Sequence, residues 1–152
     1  MKYILIMAIL LPAIGCGPSY VYEEKKEIPN GHWTWSDSLK FSFEIKDTAA
    51  VYNLYLLMDA REDYPNENIY LKLLTGFPDG HRLEYLKSFN IFDTKGMPVG
   101  ERSGDVWKQR TVLQENAFFN QPGTYDITVK QYLRRDSIEG IRAVGIAVKK
   151  SK

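Results

Sequence analysis

The chain has one cysteine, Cys16, and two histidines, His32 and His81, among its 152 residues. A single cysteine leaves no internal disulfide, so the fold must be stabilised by packing alone. Two histidines without a helical HExxH motif or a cysteine pair argue against a zinc site. A serine triad needs a histidine as its base, and no serine or aspartate partner is marked for either one. We therefore expect two plain surface histidines, and neither an enzyme, a bound metal nor a cofactor.

The chain also lacks an excess of charge of one sign. It carries 20 basic and 19 acidic side chains, a formal net charge of +1. A protein that binds nucleic acid through its phosphates needs a basic surface excess, so we expect no nucleic-acid partner.

The only long apolar run lies at the N-terminus, at residues 4–11. It is much shorter than the roughly 20 apolar residues that a membrane-spanning helix requires. Lys2 precedes the run, and the small residues Ala13 and Gly15 follow it. A basic start, a short apolar stretch and small residues before a cut are typical of a secretory signal peptide, which we assign to residues 1–15.

Cys16 follows this segment directly. The sequence Ala13-Ile14-Gly15-Cys16 resembles the bacterial lipobox, although Ala13 stands where leucine is more usual. The resemblance implies a diacylglyceryl group on the cysteine sulfur and cleavage just before Cys16, which changes the prediction from soluble to membrane-anchored. The alternative is an ordinary signal peptide with a chance cysteine at its end. Because no acidic run follows Cys16, we expect an outer-membrane lipoprotein, with the periplasmic face favoured over the cell surface.

Beyond the signal peptide the sequence divides into a short tether and one domain. Glu23-Glu24-Lys25-Lys26-Glu27 is a mixed charge run, typical of a solvated spacer, and Pro29, Asn30 and Gly31 indicate a turn. We therefore assign residues 16–31 to the lipidated cysteine and its tether, and residues 32–152 to a folded domain.

The domain has the pattern of strands. Apolar residues alternate strictly at residues 39–45 and 125–131, and strand-like segments recur at residues 52–58, 69–75, 82–92 and 141–149. A further short strand is expected around residues 111–113. Phe77-Pro78-Asp79-Gly80-His81 predicts a turn that joins two of them in a hairpin. Residues 93–105 form a long connection broken by glycine and proline, the kind that often carries function. These features predict an all-β protein, an antiparallel β-sandwich that is jelly-roll-like or, as the second choice, immunoglobulin-like.

Aromatic residues are better candidates for a functional surface than the histidines or the carboxylates. Trp33 and Trp35 are alternate residues and should share a face of an extended segment, and Trp107 follows the long connection. Exposed rings could stack on sugars or on a partner protein, but large aromatics are highly buried on average, so we expect Trp33 and Trp107 in the core. The acidic cluster around Asp59, Glu62 and Asp63 matches no calcium loop and is expected to be solvated.

Short motifs along the chain together resemble the gliding motility lipoprotein GldH family of Bacteroidetes. They lie in this order: Val21-Tyr22-Glu23-Glu24, Ile28-Pro29-Asn30-Gly31-His32-Trp33, Phe41-Ser42-Phe43-Glu44-Ile45, Asp63-Tyr64-Pro65-Asn66, Phe77-Pro78-Asp79-Gly80, Gly104-Asp105-Val106-Trp107, Gln121-Pro122-Gly123-Thr124-Tyr125, Gly140-Ile141 and Val144-Gly145-Ile146. No single motif is specific, but the ordered set covers nearly the whole mature chain.

The resemblance implies a non-enzymatic envelope lipoprotein that helps to assemble or stabilise the gliding machinery, which is coupled to the type IX secretion system. It implies a membrane contact through the lipid on Cys16, and other envelope lipoproteins as partners. The alternative is an envelope-anchored carbohydrate-binding module, since β-sandwiches host many functions. That alternative needs several aromatic rings exposed on one face.

Overall fold

The computed structural model describes residues 20–151, so the predictions for residues 1–15 and for Cys16 lie outside the described residues. The described chain forms strands and one short 3-10 turn, at Pro29–Gly31. The strands are β1 (Tyr20–Glu27), β2 (Trp33–Thr34), β3 (Leu39–Ile45), β4 (Val51–Arg61), β5 (Asn68–Gly76), β6 (Arg82–Asn90), β7 (Glu101–Ser103), β8 (Val106–Phe118), β9 (Gly123–Gln131), β10 (Ser137–Ile138) and β11 (Ile141–Lys150).

Two antiparallel sheets pack face to face. The larger has the strand order β1-β11-β4-β8-β7, the smaller has the order β3-β9-β5-β6, and β2 and β10 form a separate two-stranded ribbon. The predicted all-β class and antiparallel sandwich are confirmed. Within residues 20–151 the structure contains no helix with the length and apolarity needed to cross a bilayer.

Alternation of side chains builds the core between the sheets. In β3, Phe41, Phe43 and Ile45 are buried, whereas the residues between them are exposed. Strand β9 has the same pattern, with Tyr125, Ile127 and Val129 buried. Period-two patterns of this kind put one face of a strand inward, which is why the sequence located these two strands well.

The predicted tether is corrected by the structure. Tyr20–Glu27 is a strand that pairs along its length with β11, and Pro29–Gly31 and β2 continue the ordered chain, so the sandwich starts at Tyr20 rather than at residue 32. The Tyr22 ring lies 5.6 Å from the Phe43 ring, and Lys25 forms an ion pair of 2.6 Å with Asp59. Charged residues are common on edge strands because they discourage pairing with other chains, so a charge run does not by itself indicate a spacer.

The predicted long connection is also more ordered than expected. Residues 93–105 contain β7, which pairs with β8, and Phe92 bridges to Pro98. The Asp93 carboxylate accepts hydrogen bonds from the backbone N–H groups of Lys95 and Met97, at 2.8 and 2.9 Å. The segment therefore covers one edge of the larger sheet.

The register fixes what lies at each end of the sandwich. Tyr20 pairs with Lys149 and Val51 pairs with Phe118, so the start of β1, the end of β11 and Phe118 lie together at what we call the proximal end. The Pro29–Gly31 turn and the β2–β10 ribbon lie at the opposite, distal end.

Candidate functional site: an aromatic groove with a basic rim

The three tryptophans occupy three different environments. Trp33 is 1% exposed and lies in the core, Trp107 is half-buried in β8, and Trp35 is 64% exposed. The three are not gathered on one surface, and Trp33 is removed from the predicted interaction surface because it is buried. Trp35 alone of the three offers a full ring to a ligand.

Trp33 and Trp35 do not share a face, contrary to the prediction. Strand β2 ends at Thr34, and a turn follows in which the Thr34 N–H donates to the Asp37 carboxylate at 3.2 Å. Alternation holds only while the backbone stays extended, so the turn after Thr34 directs the second ring outward.

Trp35 lines a groove on the outer face of the smaller sheet, toward the distal end. The groove has a volume of about 500 Å³, and we call it the Trp35 groove. Its apolar lining comes from Trp35, Leu74, Tyr132 and Leu133. Tyr132 is 54% exposed, so two rings from distant parts of the chain face solvent here. This combination of size and apolar lining is typical of a ligand-binding groove.

One wall of the groove, residues 132–136, is held by a buried amide. Gln131 is 2% exposed; its side chain accepts a hydrogen bond from the Leu133 N–H at 2.9 Å and donates one to the Arg135 carbonyl at 3.3 Å. The Trp35 N–H donates to the Asp136 carbonyl at 2.9 Å, which ties the ring's backbone to the same wall. A wall fixed in this way does not have to be ordered at the moment of binding, which reduces the entropic cost of binding.

Charged side chains form the rim. Lys72 makes an ion pair of 2.9 Å with Glu84, and its ammonium lies 4.8 Å from the centre of the Tyr132 ring. The hydrogen bond to Glu84 raises the pKa of Lys72 above its ordinary value, so this side chain stays cationic at neutral pH. Lys130, Arg134 and Arg135 add three more positive charges, and Asp136 adds one negative charge.

The other polar candidates are engaged elsewhere. Asp59 pairs with Lys25, and Asp63 accepts two hydrogen bonds from the Arg61 guanidinium, at 2.8 and 2.5 Å. Those bonds hold the pKa of Asp63 below its usual range. His32 lies 3.3 Å from Glu139 on the surface. Among residues 20–151, no three His, Cys, Asp or Glu side chains are placed to hold a metal ion.

Sequence reasoning did not identify Tyr132 as part of the site. The signal was present, since the outward positions of β9 are even-numbered and Tyr132 continues that series just beyond the strand. An aromatic residue at a solvent-facing position is more informative than one at a core position. The missing information was which ring lies beside it, because 97 residues separate Trp35 from Tyr132 in the sequence.

Comparison with known proteins gives a consistent family match. A family model described as GldH lipoprotein matches residues 20–148. The chain is 28% identical to a protein named gliding motility lipoprotein GldH homolog from Christiangramia forsetii, over 98% of this chain and 94% of that protein. It is 24% identical to the gliding motility lipoprotein GldH of Flavobacterium johnsoniae, over 95% of this chain and 92% of that protein.

Solved structures show only distant likeness. A carbohydrate-binding module specific for non-crystalline cellulose is 10% identical with a TM-score of 0.45, covering 86% of this chain and 73% of the module. The VP2 subviral particle of infectious bursal disease virus is 11% identical with a TM-score of 0.37, covering 92% of this chain and 37% of the viral one. With TM-scores below 0.5, neither likeness bears on ligand or function.

Proposed function

Because this chain belongs to the GldH lipoprotein family, we propose that it is a non-enzymatic, lipid-anchored component or assembly factor of the gliding motility and type IX secretion apparatus. The supporting observation is the match over nearly the full length of two relatives that are named gliding motility lipoproteins. The protein is held in the outer membrane by lipid on Cys16, on the periplasmic face, and contacts other envelope lipoproteins.

The Trp35 groove is the surface through which we propose these contacts are made. Exposed tryptophan and tyrosine are the residues most enriched where protein partners bind tightly. Leu74 and Leu133 supply apolar area beside the rings, and the Gln131 hydrogen bonds fix the wall. The groove combines two rings and two aliphatic side chains with four basic side chains at its rim, a combination suited to binding a partner.

The test is affinity capture of the lipidated protein from cells of its own species, followed by mass spectrometry. The wild-type protein should recover envelope or secretion-apparatus components, and a Trp35→Ala/Tyr132→Ala variant should recover much less of them. Phe118→Ala is the matched control, since Phe118 is 71% exposed but lies at the proximal end, away from the groove. Recovery of no envelope or secretion component by the wild-type protein contradicts the proposal.

The anchor is tested separately by a Cys16→Ser variant. Removing the sulfur removes the site of lipid attachment, and two or three acyl chains are what make anchoring stable. The variant should therefore be lost from the outer-membrane fraction. If it still fractionates with the outer membrane, the lipid anchor is not what holds the protein there.

A second candidate function is carbohydrate binding at the envelope, which is favoured by one observation: Trp35 and Tyr132 expose two rings in the same groove. Rings placed in this way can stack on sugars. A glycan array probed with the wild-type protein and with Trp35→Ala separates the two candidates. A signal that disappears in the variant supports the sugar-binding function, and an array without signal removes it.

A further inference from the structure

The charges around the Trp35 groove are unbalanced. Four basic side chains line it (Lys72, Lys130, Arg134 and Arg135) against two acidic ones, Glu84 and Asp136. Of the four, only Lys72 has an acidic partner among the ion pairs of residues 20–151, namely Glu84. Residues 16–152 carry 19 basic and 19 acidic side chains, so the positive excess is a local property of the groove.

Unpaired cations beside an apolar groove favour a ligand that is both acidic and apolar. Complementary charge speeds association and selects partners, while the apolar lining supplies the anchor. A volume of about 500 Å³ accommodates a short stretch of chain with one large side chain, and not the face of a folded domain.

We infer that the Trp35 groove binds an acidic, extended segment of a partner protein, with one aromatic or long aliphatic side chain inserted between Trp35 and Tyr132. The acidic residues of that segment pair with Lys130, Arg134 and Arg135 at the rim. This inference rests on the proposed interaction function and specifies the chemistry of the partner.

A neutral glycan fits this groove less well. Its hydroxyl groups leave the three rim cations without a counter-charge, and the aliphatic Leu74 and Leu133 offer it no hydrogen bonds. An anionic polysaccharide would match the cations but not the aliphatic lining.

The experiment uses the mature lipoprotein purified in detergent micelles and a displayed library of random short peptides. The library is selected on the wild-type protein after depletion on Trp35→Ala/Tyr132→Ala. Enriched peptides should carry net negative charge and at least one aromatic or long aliphatic residue. Because loss of an aromatic anchor is among the largest effects at an interface, Trp35→Ala should weaken binding of each enriched peptide by at least about tenfold.

Charge is tested by an Arg134→Glu/Arg135→Glu variant. It should weaken binding of the same peptides and remove much of the salt dependence of the association rate. Phe118→Ala should bind them like the wild-type protein. Trp35, Arg134 and Arg135 are exposed and outside the core, so replacing them should leave the thermal unfolding midpoint unchanged. Measuring that midpoint checks that each variant is folded.

The inference is overturned by an absence of enrichment, by enrichment of neutral or basic peptides, or by peptides that bind the Trp35 variant equally well. An acidic glycan that binds the groove while no peptide enriches also overturns it. If envelope partners are captured from cells independently of Trp35, this inference fails and so does the groove as the contact surface, while the proposed role as an envelope component stands. If acidic peptides enrich but no envelope component is captured, the groove assignment stands and the proposed function fails.

Discussion

Aromatic rings concentrate in the interior near the proximal end. The Phe43 ring stacks on Tyr125 at 6.0 Å and meets Phe119 edge-on at 6.0 Å, and Phe119 in turn lies 4.7 Å from Tyr125. In a chain without disulfides, offset and edge-to-face pairs of this kind add to the burial of large side chains. The cluster joins β3, β9 and the loop after β8 across the core.

Phe43→Ala should therefore lower the free energy of unfolding by about 3–5 kcal/mol, the usual cost of emptying a buried phenylalanine site. Urea denaturation followed by far-UV circular dichroism measures the change. Phe118→Ala, one residue before Phe119 but exposed, should change it by no more than about 0.5 kcal/mol. Equal losses in the two variants would contradict the role assigned to the cluster.

At the residue scale, whether a side chain is buried could be predicted from the sequence only where the strand around it is long and regular. Alternation correctly placed Phe41, Phe43 and Ile45 inside, because β3 is extended throughout. The same rule failed for Trp33 and Trp35, because β2 ends between them. A two-residue strand is fixed by its β10 partner rather than by its own pattern, and that partner lies about a hundred residues away.

Among the elements, β1 depends on a close approach to β11. A Cβ atom on Gly145 would lie 2.9 Å from the Lys25 Cα and against the Glu24 carbonyl oxygen, closer than real Cβ contacts allow. Gly145 therefore lets the two backbones approach, which explains a glycine in the middle of a buried strand.

Gly145→Val should displace β1 and lower the free energy of unfolding by about 1–3 kcal/mol, the cost of overpacking a tight site. Hydrogen exchange should become faster in Tyr20–Glu27 first, before the rest of the larger sheet. Ala147→Gly, in the same strand and on the same face, adds no atoms and should leave β1 protected. Uniform loss of protection across both sheets would argue against a local effect on β1.

The wall of the Trp35 groove is a second element, and the Gln131 side chain is one of its supports. Gln131→Leu keeps the side-chain size but removes both hydrogen bonds, each worth about 1 kcal/mol. The Leu133 amide should exchange faster with solvent, and peptides that bind the groove should dissociate more quickly because the wall must be ordered on binding. Gln114→Leu, at an exposed position of β8, is the control. Unchanged exchange at Leu133 would show that other contacts hold the wall.

At the element scale, strands with regular alternation of apolar residues were predicted from the sequence, whereas the charged strand β1 and most of the irregular strand β8 were not. The hairpin turn at residues 77–81 is present, with the Phe77 N–H donating to the His81 carbonyl and Gly80 at a φ of +86°. Strand β1 was mistaken for a tether because three of its outward positions are charged. Strand β8 was predicted only around residues 111–113, because irregular pairing with β4 near residues 113–116 breaks its alternation.

For the whole molecule, the fold class followed from strands and turns, but the groove did not. Its lining comes from Trp35, from strands β5, β6 and β9, and from the segment after β9. These parts meet only through the strand order β3-β9-β5-β6, which no local pattern encodes. Composition showed a balanced charge, and the folded arrangement places an excess of cations at one site.

The two ends of the sandwich predict how the anchored protein stands on a bilayer. Strand β4 has 11 residues, a length of about 36 Å at the usual rise of strands. In liposomes that contain brominated lipids, the lipidated protein should show little quenching of Trp35, which lies toward the distal end. A tryptophan introduced by Phe118→Trp at the proximal end should be quenched more strongly. The fluorescence of a Trp35→Phe variant, which keeps Trp33 and Trp107, is subtracted as background: from the wild-type protein to isolate Trp35, and from the Trp35→Phe/Phe118→Trp variant to isolate the introduced ring. Stronger quenching of Trp35 would reverse the assigned orientation.

Strand β1 starts at Tyr20, four residue steps after Cys16. A fully extended chain covers about 3.6 Å per residue, which limits the gap between lipid and fold to about 14 Å. With its cysteine acylated, the protein would diffuse along the membrane surface and stay within a thin layer next to the bilayer. A second anchored protein in the same layer is then present at a high effective concentration, so a weak intrinsic affinity for the groove is enough to keep the two together.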